Sequence, residues 1–386
     1  MHCLLVCTKM KRAALHVDSF AAYPPRRSDD EALDQAMLRA YSVERSVDYG
    51  ASLEDVLKLR RWVEAGHGWV STALLLADDN ENRALGADES NEFLNCIRYQ
   101  AYAAACCRLA QAALETEVEH RAKVYERQAS HFKRSISATG PVRALELNIV
   151  HSGKSHAAWL FSPAALSADR PTVLVWGGAD GWCEAFYNSV QFYVDKGLAV
   201  CLLELPGQGL ARLRHGSVLQ TDFKAFIRVA LDTLIAHGSA EDRFGVVGHS
   251  AGGFLAMVAA AADSRIRACC TNGGALHPLN GFKKYPRVLE RFGRLMGGAV
   301  NEGDVASLLD SLELQSAPLN MRASLLCLHG GLDPLVESSD AQQLVDLRGA
   351  EATLLYWPEG VHCLYNHAVE RNVVVARWFA SQLLTQ

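Results

Sequence analysis

The pentapeptide Gly248-His249-Ser250-Ala251-Gly252 sets a serine hydroxyl between two residues that have no side chain. Val246-Val247 leads into it as a short β-branched run, and Phe254 to Ala262 follows with the small residues of a packed helix. A serine on so tight a strand-to-helix turn has a strained backbone, and side chains two positions before and after it would collide. Glycine at 248 and 252 removes that collision, and Gly253 lets the helix lie close to the strand. A helix starting at Ala251 aims its first N–H groups at the serine. The chemistry this favours is nucleophilic attack on a carbonyl. The competing reading of the bare pentapeptide is a glycine-rich turn with a capping serine; the flanking strand and helix weigh against it.

A base and an acid follow in order. Ala323 to His329 reads as a buried parallel strand that ends in Gly330-Gly331-Leu332-Asp333-Pro334. Ala352 to Trp357 reads as the next strand and leads into Pro358-Glu359-Gly360-Val361-His362. Ser250 is then the nucleophile, His362 the base that takes and returns its proton, and Asp333 the carboxylate that fixes the imidazole. Each has a rival. Asp333 also suits the cap of a helix starting near Val336. Glu337 and Asp340 are nearby acids in a solvated helical pattern, and His367 lies further into the following helix. His249 and His329 read as structural.

Attack on a carbonyl develops negative charge on oxygen, which needs backbone donors. Ala251, directly after the nucleophile, supplies one N–H. The second is expected from the glycine loop Gly177-Gly178-Ala179-Asp180-Gly181 after the apolar strand Thr172 to Trp176, at Gly178 or Ala179. Trp62, Trp69, Trp182 and Tyr187 are the candidate aromatic walls of a substrate pocket, with core packing as the alternative for each.

These residues need a scaffold. Helical periodicity dominates before residue 140, over about 31–46, 53–78, 89–115 and 116–136. Ser137-Ala-Thr-Gly-Pro141 breaks it. Strands and helices then alternate, with strands near 143–150, 155–161, 172–177, 198–204, 244–249, 267–272, 324–329 and 352–357. This predicts an α/β fold with an eight-stranded, mostly parallel sheet covered on both faces, its first two strands an antiparallel edge hairpin. The expected domains are a helical cap over 1–140 and a catalytic domain over 141–386. A helical insertion at 275–320, with helices near 284–296 and 303–313, should lie over the strand ends where ligands bind. The N-terminal helices are the other candidate roof, or a packing element that pairs two copies as a homodimer. The turn Glu204-Leu-Pro-Gly-Gln-Gly209 follows a strand and lies close to the same end.

Composition narrows the function classes. The 386 residues carry 49% hydrophobic residues and a net charge of −5, so a large core forms and no basic patch addresses nucleic acid. No apolar run approaches membrane-spanning length, and Cys3 to Cys7, before Lys9, Lys11 and Arg12, is short for a signal peptide. The 11 cysteines sit mostly in apolar surroundings without zinc-ligand spacing, as expected for free thiols in a reducing cytoplasm. Cys183 and Cys363 lie beside the expected site loops and are candidates for oxidation. No phosphate loop, dinucleotide fingerprint or metal cluster appears, so no cofactor and no metal are implied.

Together the elbow at Ser250, the turn Pro206-Gly-Gln-Gly209, the loop Gly177–Gly181, the segment His329-Gly-Gly-Leu-Asp333-Pro and Gly360-Val-His362 resemble the α/β-hydrolase superfamily over residues 141–386. The order Ser, Asp, His is that superfamily's. The helical segment ahead of the core resembles the group that includes dihydroxypseudooxynicotine hydrolase, the fermentation-respiration switch protein and the fungal yellowish-green pigment hydrolase. Glu204 departs from the Asp that many relatives carry before the Pro-Gly turn. The resemblance implies hydrolysis of a carbon–carbon bond next to a carbonyl, or of an ester, in a small secondary metabolite. Acyl transfer, cyclisation or peptide hydrolysis on the same fold, and a non-catalytic binding scaffold, are the alternatives.

Overall fold

The computed structural model describes residues 24–136, 142–164, 168–298 and 300–384. Cys3 to Cys7, and the break at 137–141 that separates the two expected domains, lie outside the described residues. The N-terminal periodicity resolves into α1 (Glu31–Ala40), α2 (Val43–Asp48), α3 (Leu53–Glu64), α4 (Trp69–Glu89), α5 (Phe93–Gln111) and α6 (Val118–Ile136). Two expected helices are each cut in two by local backbone chemistry that periodicity does not register. Ser42 accepts the Arg45 N–H and starts α2 inside the expected 31–46 segment. Gly66, at φ +88°, takes the chain out of α3 before it restarts at Trp69.

The sheet contains β1 (Val142–His151), β2 (Lys154–Pro163), β3 (Arg170–Trp176), β4 (Ala199–Leu203), β5 (Ser239–His249), β6 (Ile266–Asn272), β7 (Ser324–Gly330) and β8 (Ala352–Trp357), in the order β1-β2-β4-β3-β5-β6-β7-β8. The edge hairpin β1–β2 is antiparallel, as is β2 against β4, and the pairs from β4 through β8 are parallel. Every residue of β3 and β4 is buried, which requires cover on both faces. Alternate side chains supply the two cores. Leu174 and Trp176 pack with α8 (Phe223–Ala236) and α9 (Ala251–Ala262), while Val173 and Val175 share a core with Tyr41, Trp69 and Ala104 of the N-terminal helices. Each such aliphatic side chain contributes about 1.5–3 kcal/mol through burial. The helical region is thus bonded to the sheet by the same apolar cluster that closes one of its faces.

From β3 the chain crosses to β4 on one side, and β5 lies on the other. Neighbouring loops diverge at that reversal and leave a crevice beyond the strand ends. Its rim holds the glycine loop after β3 and the turn after β5. Between β6 and β7 the insertion forms α10 (Pro278–Lys284), α11 (Pro286–Leu295) and α12 (Glu302–Ser311): the expected helices near 284–296 and 303–313 are α11 and α12, and α10 is a further helix ahead of them, ended at Tyr285. α7 (Gly209–Leu213) follows β4, α13 (Ser338–Arg348) follows β7 and α14 (Ala368–Leu383) ends the described chain. Among the described residues no helix is long and apolar enough to cross a membrane.

Candidate active site

Ser250 sits at φ 58°, ψ −128°, a conformation that costs a non-glycine residue about 1–3 kcal/mol. The glycines around it are required by contact. A Cβ on Gly248 would lie 1.9 Å from the Gly252 carbonyl oxygen, and one on Gly252 would lie 2.6 Å from the Gly177 oxygen. The Ser250 N–H donates to the Asn272 carbonyl at 2.9 Å, which ties the turn to the end of β6.

Residues 112 and 29 positions apart along the chain meet here: His362 Nε2 lies 2.9 Å from Ser250 Oγ, and His362 Nδ1 lies 2.7 Å from Asp333 Oδ2. Asp333 also accepts the N–H groups of Leu335 and Val336 on Oδ1, at 2.8 and 3.1 Å. Its two readings, cap and imidazole partner, therefore coexist on separate oxygens of one carboxylate. Burial opposes ionisation of Asp333, but His362 and those two N–H donors outweigh it and hold its pKa below the usual value. Burial likewise opposes a charge on His362, and the adjoining Cys363 and Asp333 more than offset it, raising its pKa above that of free imidazole. The imidazole loop is clamped from behind. The Cys363 carbonyl accepts from Asn272 Nδ2 at 2.9 Å and from Arg371 Nη1 at 3.0 Å, and Cys363 and Leu364 both hold positive φ.

The rivals are engaged elsewhere. His367 faces Glu370 at 3.3 Å, and Glu337 is exposed. Asp340 is no merely solvated acid: it accepts the N–H groups of Leu276 and His277 and so anchors the start of the insertion. His249 is buried, stacked on Phe186 at 4.4 Å, and accepts from Asn272 Nδ2; desolvation, with Arg371 and His362 nearby, keeps it neutral.

Gly178 lies against the elbow, where an added Cβ would stand 2.8 Å from the Ala251 nitrogen. The N–H groups of Ala251 and Ala179 donate to no other described residue. Gln208 explains how the glycine loop is aimed. Its Nε2 donates to the carbonyls of Gly177 and Gly178, at 2.9 and 2.8 Å, and its Oε1 accepts the Leu205 N–H. In a trans peptide the N–H points opposite to the C=O, so holding the Gly178 carbonyl turns the Ala179 N–H away from Gln208. The sequence offered a glutamine between Gly207 and Gly209 at a strand end as the signal, without saying what it touched.

An apolar pocket opens over the serine. It is lined by Ala179, Ser250, Ala251 and His362 at its floor and by Phe282, Val288 and Phe292 of the insertion. A more polar cleft lined by His277, Lys284 and Asp340 shares Gly281, Leu335 and Val336 with it. The four aromatic wall candidates do not line this pocket. Trp69 donates to the Leu109 carbonyl inside the helical region, and Trp62 stands edge-on to His67. Tyr187 packs between Phe132 and Phe161, and Trp182 packs on Tyr125. Their sequence neighbourhood cannot separate a core aromatic from a pocket one; the insertion, with Phe254, Leu335 and Val336, supplies the wall instead.

A parallel sheet with a strained serine at the reversal point, an acid after β7 and a histidine after β8 define a class. Residues 171–356 match the family described as the alpha/beta hydrolase fold, and the chain has that fold. It is 29% identical over 254 residues to the alpha/beta hydrolase psoB of Aspergillus fumigatus, covering 61% of this chain and 56% of that one. It is 24% identical over 217 residues to the 2,6-dihydropseudooxynicotine hydrolase of Paenarthrobacter nicotinovorans, covering 56% and 58%. The chain thus spans a little over half the length of these curated relatives. The solved structure of a 2,6-dihydroxy-pseudo-oxynicotine hydrolase superposes with a TM-score of 0.76 at 21% identity, over 89% of this chain and 96% of that one, which extends the shared fold through the N-terminal helices.

Proposed function

We propose that this protein is a serine-triad hydrolase that cleaves a carbon–carbon bond next to a carbonyl, or an ester, in a small molecule. The observation that carries the reading is the continuous hydrogen-bonded chain from Ser250 through His362 to Asp333, mounted on a strained turn. Ser250 Oγ bonds to the substrate carbonyl carbon while its proton passes to His362 Nε2. The oxyanion accepts from the Ala251 and Ala179 N–H groups. For an ester, the C–O bond breaks and the alkoxide takes the proton from His362. For a 1,3-dicarbonyl compound, the C–C bond breaks in the retro-Claisen sense, its electron pair leaves as an enolate, and His362 protonates the enolate carbon. Water then attacks the acyl-enzyme carbonyl and gives a proton to His362, which passes it to Ser250 Oγ as the acid is released. Each step uses only side chains, backbone and water.

The apolar lining supports the carbon–carbon reading, because an enolate must meet the imidazolium before bulk water. The nine described cysteines are free and eight are buried, which supports a reducing, cytoplasmic setting. The test pairs p-nitrophenyl butyrate with a panel of 1,3-diketones, product masses being read for wild type and Ser250→Ala. Release of two carbonyl fragments from a diketone by wild type alone is the expected result. Turnover by Ser250→Ala within about threefold of wild type on both substrates would sink the mechanism.

A further inference from the structure

Beside the glycine loop lies a cluster of charge that the triad does not use. Asp180, the residue after Ala179, accepts from Arg291 Nη1 at 2.6 Å and Arg45 Nη2 at 3.4 Å. Glu115 accepts from Arg291 Nε at 2.7 Å and from Arg294. Two further guanidinium groups adjoin them. Arg121 is buried, lies over the Trp182 ring at 4.6 Å and spends its Nε on Gln111. Arg212 is half-buried, and its guanidinium makes no hydrogen bond among the described residues. Five guanidinium groups thus meet two carboxylates, Asp180 and Glu115.

Such a surplus is costly where water is scarce, since a buried cation needs an anionic partner. Unused donors are visible at individual groups. Arg291 is more than nine-tenths buried, yet its Nη2 has no partner, and Arg45 Nε has none. Arg212, desolvated and facing Arg121 and Arg294, has its pKa pushed down to about 10, which a neighbouring anion would reverse. Planar forked donors converging from several elements are the chemistry that holds a carboxylate or a phosphate. The cluster adjoins the pocket over Ser250 along the chain: Ala179, which lines the pocket, precedes Asp180, and Phe292, which also lines it, follows Arg291 on α11.

We infer that the arginine cluster of Arg45, Arg121, Arg212, Arg291 and Arg294 binds an anionic group of the substrate, a carboxylate or a phosphate, while the carbonyl to be cleaved lies over Ser250. This deepens the hydrolase reading and rests on it. The test compares mono-p-nitrophenyl glutarate with p-nitrophenyl butyrate, esters that differ by a terminal carboxylate. Wild type should favour the anionic ester by at least about tenfold in kcat/KM. Arg212→Gln should cut that ratio at least about fivefold. Arg214→Gln, the same charge change at a residue turned toward Glu119 and Glu126, should leave the ratio in place. No preference in wild type, or equal shifts in both variants, would overturn the inference while leaving the hydrolase reading intact. If neither ester turns over, the ester branch of the hydrolase reading is what fails, and the cluster is read by calorimetric titration of Ser250→Ala with glutarate and, separately, inorganic phosphate. Binding of one that Arg212→Gln weakens about tenfold keeps the anion site and tells carboxylate from phosphate. Binding of neither, or binding without any ester preference in an active wild type, overturns it.

Discussion

At the scale of single residues, the site is a set of fixed directions. Asp333 holds one ring nitrogen of His362 and two backbone N–H groups at once, so removing its charge leaves the loop capped but the imidazole unsteered. Asp333→Asn should lower kcat by about 10⁴-fold while the fold survives. The raised pKa of His362 makes a second prediction. The base works only unprotonated, so kcat/KM should climb with pH through one ionisation centred above the ~6.5 of free imidazole. Asp333→Asn should move that centre down. Gln208 does not line the pocket, yet it fixes the Gly177 and Gly178 carbonyls behind the proposed oxyanion donors. Gln208→Ala should lower kcat roughly tenfold or more with KM nearly unchanged, and Gln208→Glu, which cannot donate, should be no better. Serine, acid and histidine were legible in the sequence because their turns demand particular glycines and a particular order. Gln208 was not, because its partners become neighbours only when the end of β4 meets the end of β3.

At the scale of elements, Glu204 joins the hairpin edge to α7. Its Oε2 accepts from Ala157 of β2 and Ala211 of α7, at 3.0 and 3.3 Å, and its buried Oε1 has no partner. Burial, with Glu184 nearby, pushes its pKa up to about 8. The native state therefore favours the protonated acid. The stability this provides is complete below the ordinary value of 4.5 and is lost as pH rises through about 8. Glu204→Gln should remove the loss, which grows by about 1.4 kcal/mol for each pH unit between those two values. Denaturant midpoints of the two proteins should converge near about pH 5 and separate by about pH 9, the variant being the more stable. The strands could be read from sequence because buried parallel strands are unbroken apolar runs, as in Thr172 to Trp176. The helix interruptions at Ser42 and Gly66 could not, because one cap or one positive φ does not disturb a 3.6-residue period.

At the scale of the molecule, the helices ahead of the sheet are clasped to the His362 loop by a buried fork. Arg371 on α14 gives Nη1 and Nη2 to the two carboxylate oxygens of Asp48 on α2, both at 3.0 Å, and gives Nη1 also to the Cys363 carbonyl behind the imidazole. Asp48→Ala should cost about 3–5 kcal/mol in thermal or denaturant unfolding, since it strands a buried guanidinium. Turnover should fall with it as the His362 loop loosens. Replacing both partners, Asp48→Ala with Arg371→Met, should recover part of the stability but not the turnover. That the leading helices share a core with the sheet was not readable from the chain. Amphipathic faces declare that they are covered, not what covers them, and Trp62, Trp69, Trp182 and Tyr187 illustrate the same ambiguity. The wall over the serine comes mainly from the excursion between β6 and β7, completed by Leu335 and Val336 after β7 and by Phe254 of α9. Substitutions along those stretches would retailor what fits above the hydroxyl without disturbing the turn that presents it.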